Sequence, residues 1–174
     1  MDKEPIHAEL RQAGATFHQL LDSAAAADLR RRSDGTRWTN EQLLYHMLFG
    51  YLVVRALLPL VRLFGRLPPS ASRAWARLLN SATRPFHVIN YLGSVVGARV
   101  YNHRRMGAKL DRTLAALHRH LEAESDATLV RTMCFPTRWD PFFKDVMTLE
   151  EVYRYPTQHF DFHRGQLTLD DHSN

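Results

Sequence analysis

The sequence predicts an all-α fold, an up-down four-helix bundle with a long insertion between its second and third helices. Three observations lead there. Four stretches carry apolar residues at steps of three and four, the spacing of one helical face. Two of them open on a threonine followed three residues later by Gln or Glu, which is the pattern of a capping box. Between the second and third stretches, Pro68-Pro69, Gly93 and Gly97 interrupt the periodicity over residues 65–98. No internal repeat or low-complexity segment divides the chain, so residues 1–174 are expected to form one domain.

The first helix is expected from about Pro5 to Asp28, where Leu10, Ala13, Phe17, Leu20, Leu21 and Ala24 share a face. Arg30 to Arg37, with Ser33, Asp34 and Gly35, reads as a polar loop. Thr39 and Gln42 then cap a second helix that reaches about Phe64, with Pro59 expected to kink or split it. Ala71 to Asn80 reads as a short helix with Trp75, Leu78 and Leu79 facing inward. Phe86 to Val96 is apolar and β-branched, and reads either as an extended segment or as a short helix over the bundle. The third long helix is expected from about Ala98 to Glu124, on Val100, Met106, Leu110, Leu114, Leu117 and Leu121. Ser125 to Met147 reads mostly as loop, broken by Pro136 and Pro141 and anchored by Trp139, Phe142 and Phe143. Thr148 and Glu151 cap the last helix, which runs past His159 and His163 to Leu167, with Pro156 bending it before the histidines.

Composition narrows the function. Apolar residues make up 45%, enough for a sizeable core. Lys+Arg number 23 against 18 Asp+Glu, a net charge of +5 that favours anionic partners without identifying nucleic acid. The basic excess reads as spread along the chain, with one short run at Arg30–Arg32. Lysine stands only at positions 3, 109 and 144, and with the alanine-rich stretches this points to a GC-rich coding sequence. Cys134 is the one cysteine, so no intrachain disulfide forms and a reducing cytoplasm is the expected location. Met1 to Leu10 is charged and shows no signal-peptide core. The most apolar segment, Leu43 to Gly65, contains His46, Arg55, Pro59 and Arg62, so it reads as a buried helix and no membrane partner is expected.

The chemistry sits on histidines. His159 and His163 are four residues apart, which places both rings on one helical face at about 5–6 Å between Cβ atoms, within reach of one metal ion. With 10 histidines in the chain, such a pair also arises by accident. His46 adds weight, because it lies amid Leu43, Leu44, Met47 and Leu48, where a buried imidazole needs a partner. The alternative is a carbonyl-bonded His46 and a solvated pair. Three imidazoles suit zinc, nickel, iron or copper rather than magnesium or calcium, and three protein ligands leave a position open.

The segment Trp38-Thr39-Asn40-Glu41, with His46 eight residues after the tryptophan, and the run His159-Phe-Asp-Phe-His163-Arg-Gly-Gln-Leu resemble the DinB-like superfamily of four-helix metalloproteins. That superfamily includes mycothiol- and bacillithiol-dependent thiol transferases and a maleylpyruvate isomerase. The resemblance spans most of the chain outside 65–98, and it implies that His46, His159 and His163 bind a divalent transition metal such as Zn, Ni or Fe. It implies a small-molecule substrate, with a low-molecular-weight thiol such as mycothiol as cosubstrate. The long insertion, Pro156 and the Phe135–Phe143 segment depart from a minimal member.

Other residues weigh less. Tyr155 and Gln166, one turn before His159 and just after His163, are placed to line the pocket or orient a water. Asp161 points to the opposite side of the helix. Cys134 reads as a buried inert thiol, Trp38 and Trp139 as core anchors, and Tyr101 to Arg105 as a solvated face. His118 and His120 diverge and cannot share an ion. The leading expectation is a metal-dependent enzyme, a thiol transferase or a hydrolase. A non-catalytic bundle is the alternative, its 86–96 segment binding a hydrophobic ligand or a second copy in a homodimer. Nucleic-acid binding ranks last, because no recognition helix stands out.

Overall fold

The computed structural model describes residues 1–169. Its elements are α1 (Glu4–Ser23), α2 (Ala26–Arg30), α3 (Asn40–Phe64), α4 (Pro69–Ser81), α5 (Thr83–Val100), α6 (His103–Ala123), α7 (Asp126–Leu129), β1 (Thr132–Cys134), β2 (Val146–Thr148) and α8 (Leu149–Arg164). The long helices α1, α3, α6 and α8 form the bundle expected from the apolar spacing. α1 and α3 each pack against both α6 and α8, so the ring order is α1, α6, α3, α8, and the first two long helices face each other across a diagonal.

α3 is the central helix. Leu43, Leu44, Met47, Leu48, Tyr51 and Leu58 have no exposed surface, and burial of each such side chain contributes about 1.5–3 kcal/mol. By length and hydropathy α3 could cross a membrane, but it packs on α8, α6 and α5 as a core helix. Both capping boxes form. Gln42 N donates to Thr39 Oγ1 at 3.4 Å and Thr39 N to Gln42 Oε1 at 3.1 Å. Glu151 N donates to Thr148 Oγ1 at 3.1 Å and Thr148 N to Glu151 Oε2 at 2.8 Å. At the far end, Arg62 reaches the buried Glu124 at 2.5 Å, and the Tyr153 hydroxyl donates to the same carboxylate, which ties α3, the end of α6 and α8 together.

Several boundaries differ from expectation. The first helix stops at Ser23, because Ala24 turns extended, and α2 follows as a separate turn that buries Leu29. α3 is not split at Pro59, which sits on an exposed stretch where water can satisfy the freed carbonyl, while the buried Pro156 lies inside α8 as expected. The segment 86–96 is helical, within an 18-residue α5, and Ala98 to Val100 belong to α5 rather than to the third long helix. Leu78 does not face inward; it is 59% exposed, while Trp75 and Leu79 of the same helix are half-buried. The stretch 125–147 holds α7 and a small antiparallel pair, with Met133 opposite Met147 and Cys134, half-buried, opposite Val146. Three-residue strands leave no readable alternation, which is why they were not expected. The pair ties the 135–145 loop to the start of α8.

Candidate metal centre

The cap at Thr39 starts α3 so that His46 lies two turns in, and the cap at Thr148 places His159 and His163 near the end of α8. α3 packs closely on α8, and Gly50 permits it: a Cβ there would meet the His159 ring at 3.3 Å. The three rings converge. Their centroids lie 4.9 Å (His46–His159), 4.8 Å (His46–His163) and 4.5 Å (His159–His163) apart. Each is at most 9% exposed, and one ligand atom from each lies within 4.8 Å of the others.

Each imidazole has its Nδ1 committed elsewhere. His159 Nδ1 donates to Asp140 Oδ2 at 2.9 Å, and His163 Nδ1 donates to Gln166 Oε1 at 2.6 Å. Ser94 Oγ donates to the Asn90 carbonyl at 2.9 Å, so it accepts from His46 Nδ1 at 3.1 Å. The tautomer with hydrogen on Nδ1 follows from these partners, and it leaves Nε2 as the free lone pair on each ring. His46 Nε2 and His159 Nε2 face each other at 3.1 Å. Two ligands about 2.1 Å from a tetrahedral zinc sit roughly 3.4 Å apart. Converging lone pairs in a buried site repel each other unless a cation lies between them, so the donor set fits a divalent transition metal.

Electrostatics agree. Burial, with the neighbouring His159 and His163 adding to it, holds the His46 pKa well below its ordinary value. Burial and His159 lower that of His163 to about 4. Both rings are therefore neutral near pH 7, the form that binds metal. Burial raises the pKa of Asp140, but its hydrogen bond and charge interaction with His159 outweigh that, and the carboxyl stays below its usual value. Burial and the adjacent Asp140 push the Tyr155 hydroxyl well above its own.

Asp140 is the site residue that sequence reasoning missed. Its Oδ2 accepts from His159 and from the Tyr155 hydroxyl at 2.8 Å, and its Oδ1 accepts from the Phe142 amide at 2.9 Å. A lone carboxylate in the apolar run Trp139 to Phe143 was the available signal, since a buried charge needs partners. Ser94 was also missed, being hidden in a segment of uncertain structure. Tyr155 lines the cavity, and its hydroxyl is bonded to Asp140. Gln166 Oε1 accepts from His163 Nδ1.

Trp38 stacks on His46 at 4.3 Å, so it anchors a site residue as well as core. Trp139 donates to the Leu79 carbonyl and stacks on Phe86 at 4.0 Å. Asp161 is exposed, as expected. His118 stacks on His7, far from the triad in the chain.

A cavity of about 220 Å³ opens from His46 and His159 along α3, from His46 to Val61, which is about 22 Å of helix. Phe49, Val53, Leu57 and Leu60 form its α3 wall. α4 and α5 cover it with Trp75, Leu79 and Phe86, and the 135–143 loop closes it with Phe135, Trp139 and Phe143. Polar groups gather at the triad end, where Asp140, Tyr155 and Asn90 join His46 and His159.

No curated protein and no solved structure matches the chain. A family model, that of the DinB superfamily, matches residues 9–167, which takes in most of α1, the other three long helices, the insertion and the triad. The chain therefore belongs to the DinB superfamily.

Proposed function

We propose that the protein is a divalent-metal-dependent enzyme that transfers a low-molecular-weight thiol, of the mycothiol class, to a small apolar acceptor. The observation that carries this reading is the convergence of three imidazoles, each with its Nδ1 bonded elsewhere, two of which line the polar end of an apolar cavity. Among the described residues the cluster has three members, and three protein ligands are the pattern of a site with a position left for substrate. A bound divalent ion supplies a Lewis acid that lowers the pKa of a thiol.

The side chains do the rest. Asp140, Ser94 and Gln166 hold the rings in the ligating tautomer. The aromatic walls hold the acceptor and exclude water. The thiol sulfur forms a bond to an electrophilic carbon, the leaving group departs with its electron pair, and the thiol proton passes to solvent. Asp140 already accepts two side-chain hydrogen bonds, so it serves as a positioning group and not as a base.

The test is reconstitution with Zn, Ni or Fe(II), followed by mass spectrometry of the thioether formed from mycothiol and an apolar alkyl halide. Product should require metal and vanish in His159→Ala. Equal thiol consumption with and without metal rejects the reading. The apolar cavity favours a second reading, a hydrophobic-ligand carrier with a structural metal. Ligand retention without product, or hydrolysis of an apolar ester in its place, would shift the assignment to a carrier or a metal-dependent hydrolase.

A further inference from the structure

α5 carries its apolar side outward. Val88, Ile89, Leu92, Val96 and Val100 are each more than half exposed and recur about one turn apart, so they form a single stripe. Its inward side holds Asn90, Ser94 and Gly97, the last so close to Tyr45 that a Cβ would meet the ring at 2.0 Å. A helix covering a soluble core normally turns its polar side to water. α4 continues the surface with Leu78, and both helices lie against α3, so their outward faces point away from the bundle.

The charge on this region is one-sided. Basic residues occur throughout the chain, but from Gln42 to Leu110 there is no Asp or Glu, although the whole chain is only +5. Arg73 and Arg77 on α4, Arg84 and Arg99 on α5, and Arg104 and Arg105 just beyond are exposed. None of them pairs with a carboxylate among the described residues; the ion pairs of the protein lie elsewhere, as at Arg154–Glu150 and Arg62–Glu124.

We propose that the α4–α5 face docks on an anionic membrane surface. An aliphatic stripe bordered by unpaired guanidinium groups matches acyl chains beneath anionic headgroups. A second copy fits poorly, because a two-fold contact would set arginines against arginines with no carboxylate on α4 or α5 to offset them. This departs from the expectation of no membrane partner, which rested on reading Leu43 to Gly65 as a buried helix; the face proposed here lies on α4 and α5. Docking sets the roof of the cavity, Trp75, Leu79 and Phe86, against the phase in which apolar molecules concentrate. The inference rests on the surface alone and is independent of the metal.

The experiment is co-sedimentation of the full chain with vesicles of phosphatidylcholine, or of phosphatidylcholine with phosphatidylglycerol, at low and high salt. Binding should require phosphatidylglycerol and fall with salt. Arg73→Gln, Arg77→Gln and Arg84→Gln should each weaken it about fivefold. Ile89→Asp with Leu92→Asp should abolish it while circular dichroism and metal content stay as in the parent protein, since both positions face solvent. Equal partitioning into both vesicle types, or binding to neither, overturns the proposal. So does a concentration-dependent dimer that Leu92→Asp dissolves, which would give the stripe to a second copy.

Discussion

Replacing Asp140 with Ala removes the acceptor for two buried donors at once, His159 Nδ1 and the Tyr155 hydroxyl. Without that acceptor, His159 can take the other tautomer, whose Nε2 carries the hydrogen and no longer ligates. Loss of such a supporting partner costs about 10–100-fold in metal affinity. That is roughly 1.4–2.8 kcal/mol, which agrees with about 1.5–3 kcal/mol for one hydrogen bond to a charged group. The Tyr155 hydroxyl, left buried without a partner, costs a further ~1–3 kcal/mol of stability, or several degrees in Tm for a domain of this size. The assay is competitive titration of Zn against a chromophoric chelator, with thermal unfolding of the metal-free protein alongside. Asp140→Asn keeps an oxygen acceptor without the charge and should fall between the two. Zinc affinity of Asp140→Ala within twofold of the parent protein would refute the positioning role.

Other outcomes follow from the same geometry. Gly97→Ala should cost about 1–3 kcal/mol, read from the urea midpoint, because its Cβ must displace Tyr45 or α5; an unchanged midpoint contradicts the close approach. Thr148→Ala should cost about 1 kcal/mol through the lost cap, with Thr148→Ser restoring most of it. In metal-free protein His46 and His163 both favour the neutral form when folded, whereas the unfolded chain titrates near 6.5. Stability should therefore be full above that pH and fall as pH drops from about 6.5 towards 4, by roughly 3 kcal/mol from His163 alone. Urea midpoints across that range with chelator present measure it, and a flat profile contradicts neutral burial.

What was legible in the sequence was local. Thr39 and Thr148 each satisfy a capping box within four residues, so the starts of α3 and α8 could be placed and the three histidines set on their helices. What was not legible depends on partners distant in sequence. α5 reads ambiguously because its valines and glycines disfavour a helix in isolation; the close approach of Tyr45 explains Gly97, and the stripe of Val88, Ile89, Leu92, Val96 and Val100 turns outward. Asp140 looked like one polar residue in an aromatic loop, and its role appears once the β1–β2 pair draws that loop over α8. Leu78 was assigned inward by spacing alone, but the inward positions of α4 belong to Ser72, Trp75, Ala76 and Leu79.

The central claim is that His46, His159 and His163 hold one divalent ion through Nε2. Elemental analysis of purified protein, combined with the visible spectrum of its cobalt-substituted form, tests it most directly. About one metal per chain and a ligand-field spectrum of nitrogen and oxygen donors are expected, with loss of both in the His46→Ala, His159→Ala double variant. Full metal content in that variant, or a parent protein that binds no transition metal after reconstitution, would contradict it.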